Sequence, residues 1–143
     1  MTGYLLDTCT LVDLLRAKDR LVADRFRAAQ GQVFASTVSV MELICGAERS
    51  TDPVGNRAQI EALLTLVGTK DFDVAAAEQA AHTRAVLLSA GTPIGPYGVQ
   101  IAGHALALQM TVVTTNTAEF TRVPNLTVES WRTDRAGELR AQG

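Results

Sequence analysis

Residues 3–15 read GYLLDTCTLVDLL. Gly3 to Leu6 has the composition of a short buried strand, and after Asp7 the apolar residues Leu11, Val12, Leu14 and Leu15 recur at helical spacing. The stretch therefore predicts a strand, a carboxylate at its carboxyl end, and a helix. Working outward, the same alternation recurs along the chain. A helix is expected from about Arg20 to Ala29, stopped near Gly31, with a second strand over Val33–Ala35. Thr37–Arg49 reads as helix, with Ser39 and Glu42 at capping-box spacing and Met41, Ile44 and Cys45 as its apolar stripe. Asp52-Pro53 interrupts the pattern. Asn56–Val67 then reads as helix, Lys70–Phe72 as strand, and Asp73–Ala90 as an Ala-rich helix closed by Gly91. Thr92–Gly98, with two prolines and two glycines besides Thr92, Ile94 and Tyr97, reads as a loop. A helix over Val99–Leu108 follows, with Ile101, Ala102, Ala105 and Leu108 on one face. Thr111–Thr114 is the clearest buried strand, followed by a turn or short helix over Thr117–Phe120 and a last strand near Leu126–Val128. Four or five strands separated by helices imply an α/β domain whose mostly parallel sheet is covered on both faces, because parallel neighbours need crossover connections.

At 143 residues and 47% hydrophobic, the chain suits one globular domain, expected over residues 1–132, with a polar, disordered tail from Thr133 to Gly143. No 20- to 50-residue repeat appears. A net charge of −2 lacks the strong positive excess of many nucleic-acid and membrane-surface binders. No apolar run approaches the roughly 20 residues of a membrane span, and Asp7 and Asp13 interrupt what would be the core of a signal peptide, so a cytoplasmic location is expected. Cys9 and Cys45 form no CxxC and read as small buried residues. His82 and His104 lie in separate predicted helices and read as structural or surface residues. Neither GxGxxG nor a Walker A motif is present. Arg16, Lys18, Arg20, Arg25 and Arg27 cluster near the helices after Asp7; they read equally as a phosphate-facing rim or an ordinary solvated face.

In open parallel sheets, ligands bind beyond the carboxyl ends of the strands. Asp7 follows strand one, Glu42 lies in the helix after strand two, and Asn116 and Glu119 follow the Thr111–Thr114 strand. If those strands are adjacent, four oxygen-bearing side chains share one cleft. Each has a second reading: Asp7 as a helix cap, Glu42 as the partner of Ser39 in a capping box, Asn116 as turn chemistry and Glu119 as a solvated helix charge. Their common sheet edge favours the joint reading. Clustered carboxylates without Cys or His select Mg²⁺ or Mn²⁺, and such an ion activates water against a phosphodiester.

Five blocks carry a resemblance: YLLDT (4–8), SVMELICGAERS (39–50), GTPIGPYGVQIAGHALA (91–107), TVVTTNTAEFTRVPNL (111–126) and VESW (128–131). In order and spacing they resemble PIN-domain toxins of the VapC family. The resemblance implies a three-layer α/β/α PIN domain and a Mg²⁺- or Mn²⁺-dependent endoribonuclease, the toxin of a bacterial type II toxin–antitoxin pair, acting on structured RNA such as tRNA or rRNA. It also implies a homodimer, a VapB-type antitoxin whose C-terminal segment covers the active site, and operator DNA bound only through that antitoxin. By position, Asp7 and Glu42 match acidic metal-site residues, Asn116 a position held by Asp or Asn, and Glu119 an acidic residue near the site. Two positions depart from the pattern. Cys9 stands where the family usually has Asn, and Gly98 stands where the family has an acidic metal ligand. Gly is tolerated at a helix start, so the expectation is an intact fold with weakened or absent cleavage. The alternative expectation is an inactive homologue that binds antitoxin and serves as a co-repressor. A third is another metal-dependent phosphohydrolase or a phosphoacceptor domain using Asp7, which fits the α/β pattern but lacks a second Asp at position 9.

Overall fold

A computed structural model describes residues 3–132; the tail from Thr133 to Gly143 lies outside the described residues. The elements are β1 (Tyr4–Leu6), α1 (Thr8–Arg16), α2 (Arg20–Ala28), β2 (Val33–Ser36), α3 (Thr37–Glu48), α4 (Pro53–Leu64), β3 (Gly68–Lys70), α5 (Val74–Ser89), α6 (Pro96–Leu108), β4 (Thr111–Val113), α7 (Thr117–Phe120) and β5 (Val128–Glu129). The strands form one sheet in the order β3-β2-β1-β4-β5. Every pairing is parallel, with Leu5 opposite Phe34 on one side and Val112 on the other.

Successive strand residues point to opposite faces, so the two leucines of β1 enter different cores. Leu6 packs with Leu11, Val22, Phe26, Leu43, Ile60, Leu63 and Trp131, which places α1 to α4 on one face. Leu5 packs with Leu87, Ile101, Ala102, Ala105, Val112 and Phe120, which places α5 and α6 on the other. Those two helices approach closely because position 103 has no side chain: a Cβ on Gly103 would stand 2.4 Å from the Ala80 backbone. This contact packs the middle of α6 closely against α5.

The chain departs from the sequence-based expectation where proline and helix capping meet. α4 begins at Pro53 and α6 at Pro96, both at the first helical turn. Proline was read as an interruption in both places, yet its missing N–H costs nothing where the helix leaves donors unpaired anyway. Ser39 and Glu42 form no capping box. Ser36 caps α3 by accepting from the Val38 N–H, while Ser39 is buried within the helix. The buried stripe of α3 is Val38, Ser39, Leu43 and Ala47; Met41 and Cys45 are exposed and Ile44 is only half-buried, which corrects the expected stripe and the expected burial of Cys45. β3 lies over Gly68–Lys70 rather than Lys70–Phe72, because its place is set by pairing with β2 rather than by its own weak apolar pattern. β5 likewise starts two residues later than expected.

Candidate active site

Asp7 stands where β1 becomes α1, and the central position of β1 between β2 and β4 brings the other candidates to it. Its N–H donates to the Val113 carbonyl at 2.8 Å, extending the β1–β4 ladder by one residue. Its side chain then does two things. Oδ1 accepts from the Thr8 N–H at 2.8 Å, as a helix cap. Oδ2 accepts from the Thr114 hydroxyl at 2.9 Å and the Cys9 thiol at 3.3 Å. The capping role is thus real but engages only part of the carboxylate.

Glu42 reaches the same place from α3. The Thr8 hydroxyl donates to Glu42 Oε1 at 2.7 Å and lies 3.0 Å from Ser39 Oγ, so a single threonine ties α1 to α3. On the far side, Asn116 Nδ2 donates to Glu119 Oε2 at 2.9 Å, and Glu119 Oε1 accepts from the Gly95 N–H at 2.9 Å. Asn116 is joined to Asp7 through Thr114, whose hydroxyl oxygen accepts the Asn116 N–H at 3.0 Å. Asp7, Glu42, Asn116 and Glu119 together line one cleft of about 390 Å³, whose wall also includes Cys9 and Gly98. All four predicted residues are therefore brought together. Asn116 is exposed and the three carboxylates are half-buried, which leaves lone pairs facing solvent.

Thr8 and Thr114 were not singled out from sequence, although both orient carboxylates here. Their signal is positional: a hydroxyl directly after a strand-ending carboxylate, and a hydroxyl at the same level of the adjacent strand. Cys9 does not leave Asp7 without a polar neighbour, since its sulfur contacts Asp7 and accepts the Thr115 N–H at 3.3 Å. His82 is exposed. His104 is 2% exposed and turns away from the cleft, its Nδ1 2.9 Å from Ser36 Oγ and its ring edge-on to Phe72. Burial pulls its pKa below the ordinary value, against opposing pulls from Asp73 and from the carbonyl and charge of Asp71.

The donor set consists of hard oxygens and suits Mg²⁺ or Mn²⁺ rather than a soft ion. Among the described residues no three His, Cys, Asp or Glu side chains form a ready metal cage. Mg²⁺ commonly uses one or two carboxylates and keeps several waters. Asp7 and Glu42, each oriented by a hydroxyl donor, fit that requirement.

A second groove, of about 280 Å³, runs between α1, α3 and α4 and shares Thr8 and Glu42 with the cleft; Val12, Leu15, Leu43 and Ile60 give it an apolar floor. Among the described residues no helix is long and apolar enough to cross a membrane.

Comparison with known proteins agrees with this architecture. The model of the PIN domain matches residues 4–126. A tRNA(fMet)-specific endonuclease VapC of Shigella flexneri is 40% identical over 131 residues, 92% of this chain and 99% of that protein. The crystal structure of DNA-bound VapBC from Salmonella typhimurium superposes with a TM-score of 0.88 at 37% identity, covering 92% of this chain and 99% of that one. VapBC2 from Rickettsia felis, bound to a DNA fragment from its promoter, gives a TM-score of 0.85 at 26% identity over 91% and 99% of the two chains.

Proposed function

We infer the reaction from one premise: this chain belongs to the PIN-domain family, as a VapC ribonuclease toxin of a VapBC toxin–antitoxin system. The proposed activity is Mg²⁺- or Mn²⁺-dependent hydrolysis of a phosphodiester in structured RNA, with tRNA, and initiator tRNA first, as the class to test. The observation that carries it is the convergence of Asp7, Glu42, Asn116 and Glu119 on one open cleft at the carboxyl ends of β1 and β4. A divalent cation there would supply an activated water and offset charge developing on the phosphate.

The chain's own residues prepare that place. Thr114 and Thr8 donate to the Asp7 and Glu42 carboxylates and so orient both where they line the cleft. Asn116 spans β4 and α7, orienting Glu119 while presenting its own amide at the cleft wall. Gly98 contributes no carboxylate, so cleavage is expected to be weaker than in a variant carrying Asp there. The apolar groove beside Glu42 suits the C-terminal segment of a VapB-type antitoxin, whose seating would cover the cleft edge at Thr8 and Glu42. A homodimer and operator binding through the antitoxin complete the proposal.

The test is cleavage of tRNA by purified protein with Mg²⁺ or Mn²⁺, against Asp7→Asn and against chelator. Metal-dependent products that vanish in both controls support the reading. A second reading, an antitoxin-binding module without catalysis, is favoured by the bare position at Gly98. Antitoxin capture with no cleavage under any divalent ion would establish that one instead.

A further inference from the structure

Among the described residues, six large apolar side chains are exposed: Met41, Val54, Leu66, Val74, Leu88 and Tyr97. Single residues of this kind are normal on a protein surface. Tyr97 differs in place, because it alone of the six lines the cleft that holds Asp7 and Glu42. It is 47% exposed, whereas Phe120, the other aromatic residue of that wall, is 2% exposed and belongs to the core. The backbone beneath Tyr97 is fixed, since Pro96 opens α6 with a preset φ and Tyr97 follows in the first helical turn. Among the described residues its ring has no aromatic neighbour and its hydroxyl no hydrogen-bond partner. An aromatic side chain is thus held at the cleft wall with no polar commitment inside the protein.

The charge of the cleft explains why that matters. Nucleic acids are gripped chiefly at their phosphates by Lys and Arg, yet among the described residues no Lys or Arg lines this cleft, while Asp7, Glu42 and Glu119 do. A divalent cation offsets at most two of those three negative charges, so electrostatics there provide no strong grip. Stacking on an aromatic ring needs no charge and is worth about 5- to 150-fold in affinity per base. It requires a base free of its own helix, as in RNA loops and bulges.

We propose that Tyr97 is the stacking platform for one unpaired base beside the phosphate that the cleft addresses, and that it restricts the site to unpaired RNA. This rests on the reading of the cleft as a nuclease site. Tyr97 touches substrate but moves no proton, so it acts on binding rather than on the chemical step. A base inside a continuous duplex reaches the ring only after leaving its stack, at the expense of its pairing.

The experiment is fluorescence anisotropy of the full chain with a labelled RNA hairpin, in Ca²⁺ and with gels showing intact RNA. Each loop nucleotide is replaced in turn by an abasic one, and the same strand closed into a duplex is run alongside. Tyr97→Ala is expected to weaken hairpin binding by about 10-fold, and Tyr97→Phe, which keeps the ring, by no more than about 2-fold. One abasic position should cost about 10-fold with the unaltered protein and nothing further with Tyr97→Ala, the non-additivity of groups in contact. The salt dependence of hairpin binding should be the same for both proteins, because no phosphate contact is lost, and duplex binding should not change. In Mg²⁺ or Mn²⁺, Tyr97→Ala should raise the KM for hairpin cleavage at unchanged kcat. Equal hairpin affinity of the unaltered protein and Tyr97→Ala, additive losses at every abasic position, or full recovery by Tyr97→Leu overturns the stacking and leaves the nuclease reading standing. Stacking as expected, but no metal-dependent cleavage by the unaltered protein, supports the platform and overturns the nuclease reading. Failure of the unaltered protein to bind the hairpin overturns both.

Discussion

Two polar clusters lie near the carboxyl ends of the central strands, and they are finished in opposite ways. In the cleft, Asp7, Glu42 and Glu119 are half-buried and line an open wall; donors reach both oxygens of Asp7 and of Glu119 but only Oε1 of Glu42. Beneath α6, His104 and Ser36 are almost wholly buried and complete one another: Ser36 Oγ accepts the Val38 N–H and pairs with His104 Nδ1. A buried polar group is stable only when its partners are provided internally, which leaves nothing for a ligand. A partly satisfied carboxylate at an open edge retains capacity, and its residual repulsion is relieved by a cation. The difference separates a cluster that stabilises the fold from one that performs chemistry, although both are made from the same residue classes.

Breaking the open cluster should cost function far more than stability. Asp7→Asn keeps a good N-cap for α1 but removes the charge; losing even outer partners of metal sites costs 10- to 100-fold, so tRNA cleavage is expected to fall by at least about 100-fold. Unfolding free energy measured in urea should change by no more than about 1 kcal/mol. Comparable cleavage by both proteins would erase the contrast. Breaking the dry cluster should do the reverse. His104→Leu strands the Ser36 hydroxyl and is expected to cost about 1–3 kcal/mol in urea melts while leaving Mn²⁺ affinity unchanged.

A gentler perturbation uses pH. The folded-state pKa of His104 is lowered from its ordinary 6.5, so the unfolded chain takes up this proton first as pH falls. Stability should therefore decline as pH drops through 6.5 toward the folded pKa, by at most about 1.4 kcal/mol per pH unit from this group. His104→Asn should flatten that part of the curve; an unchanged slope would remove His104 as its source. The smallest effect is expected at Cys9→Ser, where a hydroxyl can make the same donation to Asp7 and accept the same Thr115 N–H, with a change within about 0.5 kcal/mol in thermal or urea melts.

The site was legible to the extent that it depended on strand ends. Asp7 directly follows an apolar run and Asn116 comes three positions after one, and a parallel sheet places such positions on one edge. Glu42 was found beside a mistaken neighbour: Ser39 and Glu42 have capping-box spacing, yet the cap is Ser36, because the chain already turns helical at Thr37. The hydroxyl partners Thr8 and Thr114 were not assigned, since a hydrogen bond across 34 residues in one case and 107 in the other has no local signature. Helix starts at Pro53 and Pro96 were missed for a related reason: proline signals either a break or a first turn, and the choice rests on what precedes it.

Periodicity and residue chemistry alone established an α/β chain with hard oxygen donors after its strands, because burial imposes a period of two or 3.6 on any amphipathic element and charge stays out of cores. Only the three-dimensional packing decided that β1 lies between β2 and β4, that Glu119 stands beside Gly98 in the cleft wall, and that His104 is sealed inside. Those facts depend on which distant surfaces exclude water together, and that is a property of the assembled layers rather than of any local stretch.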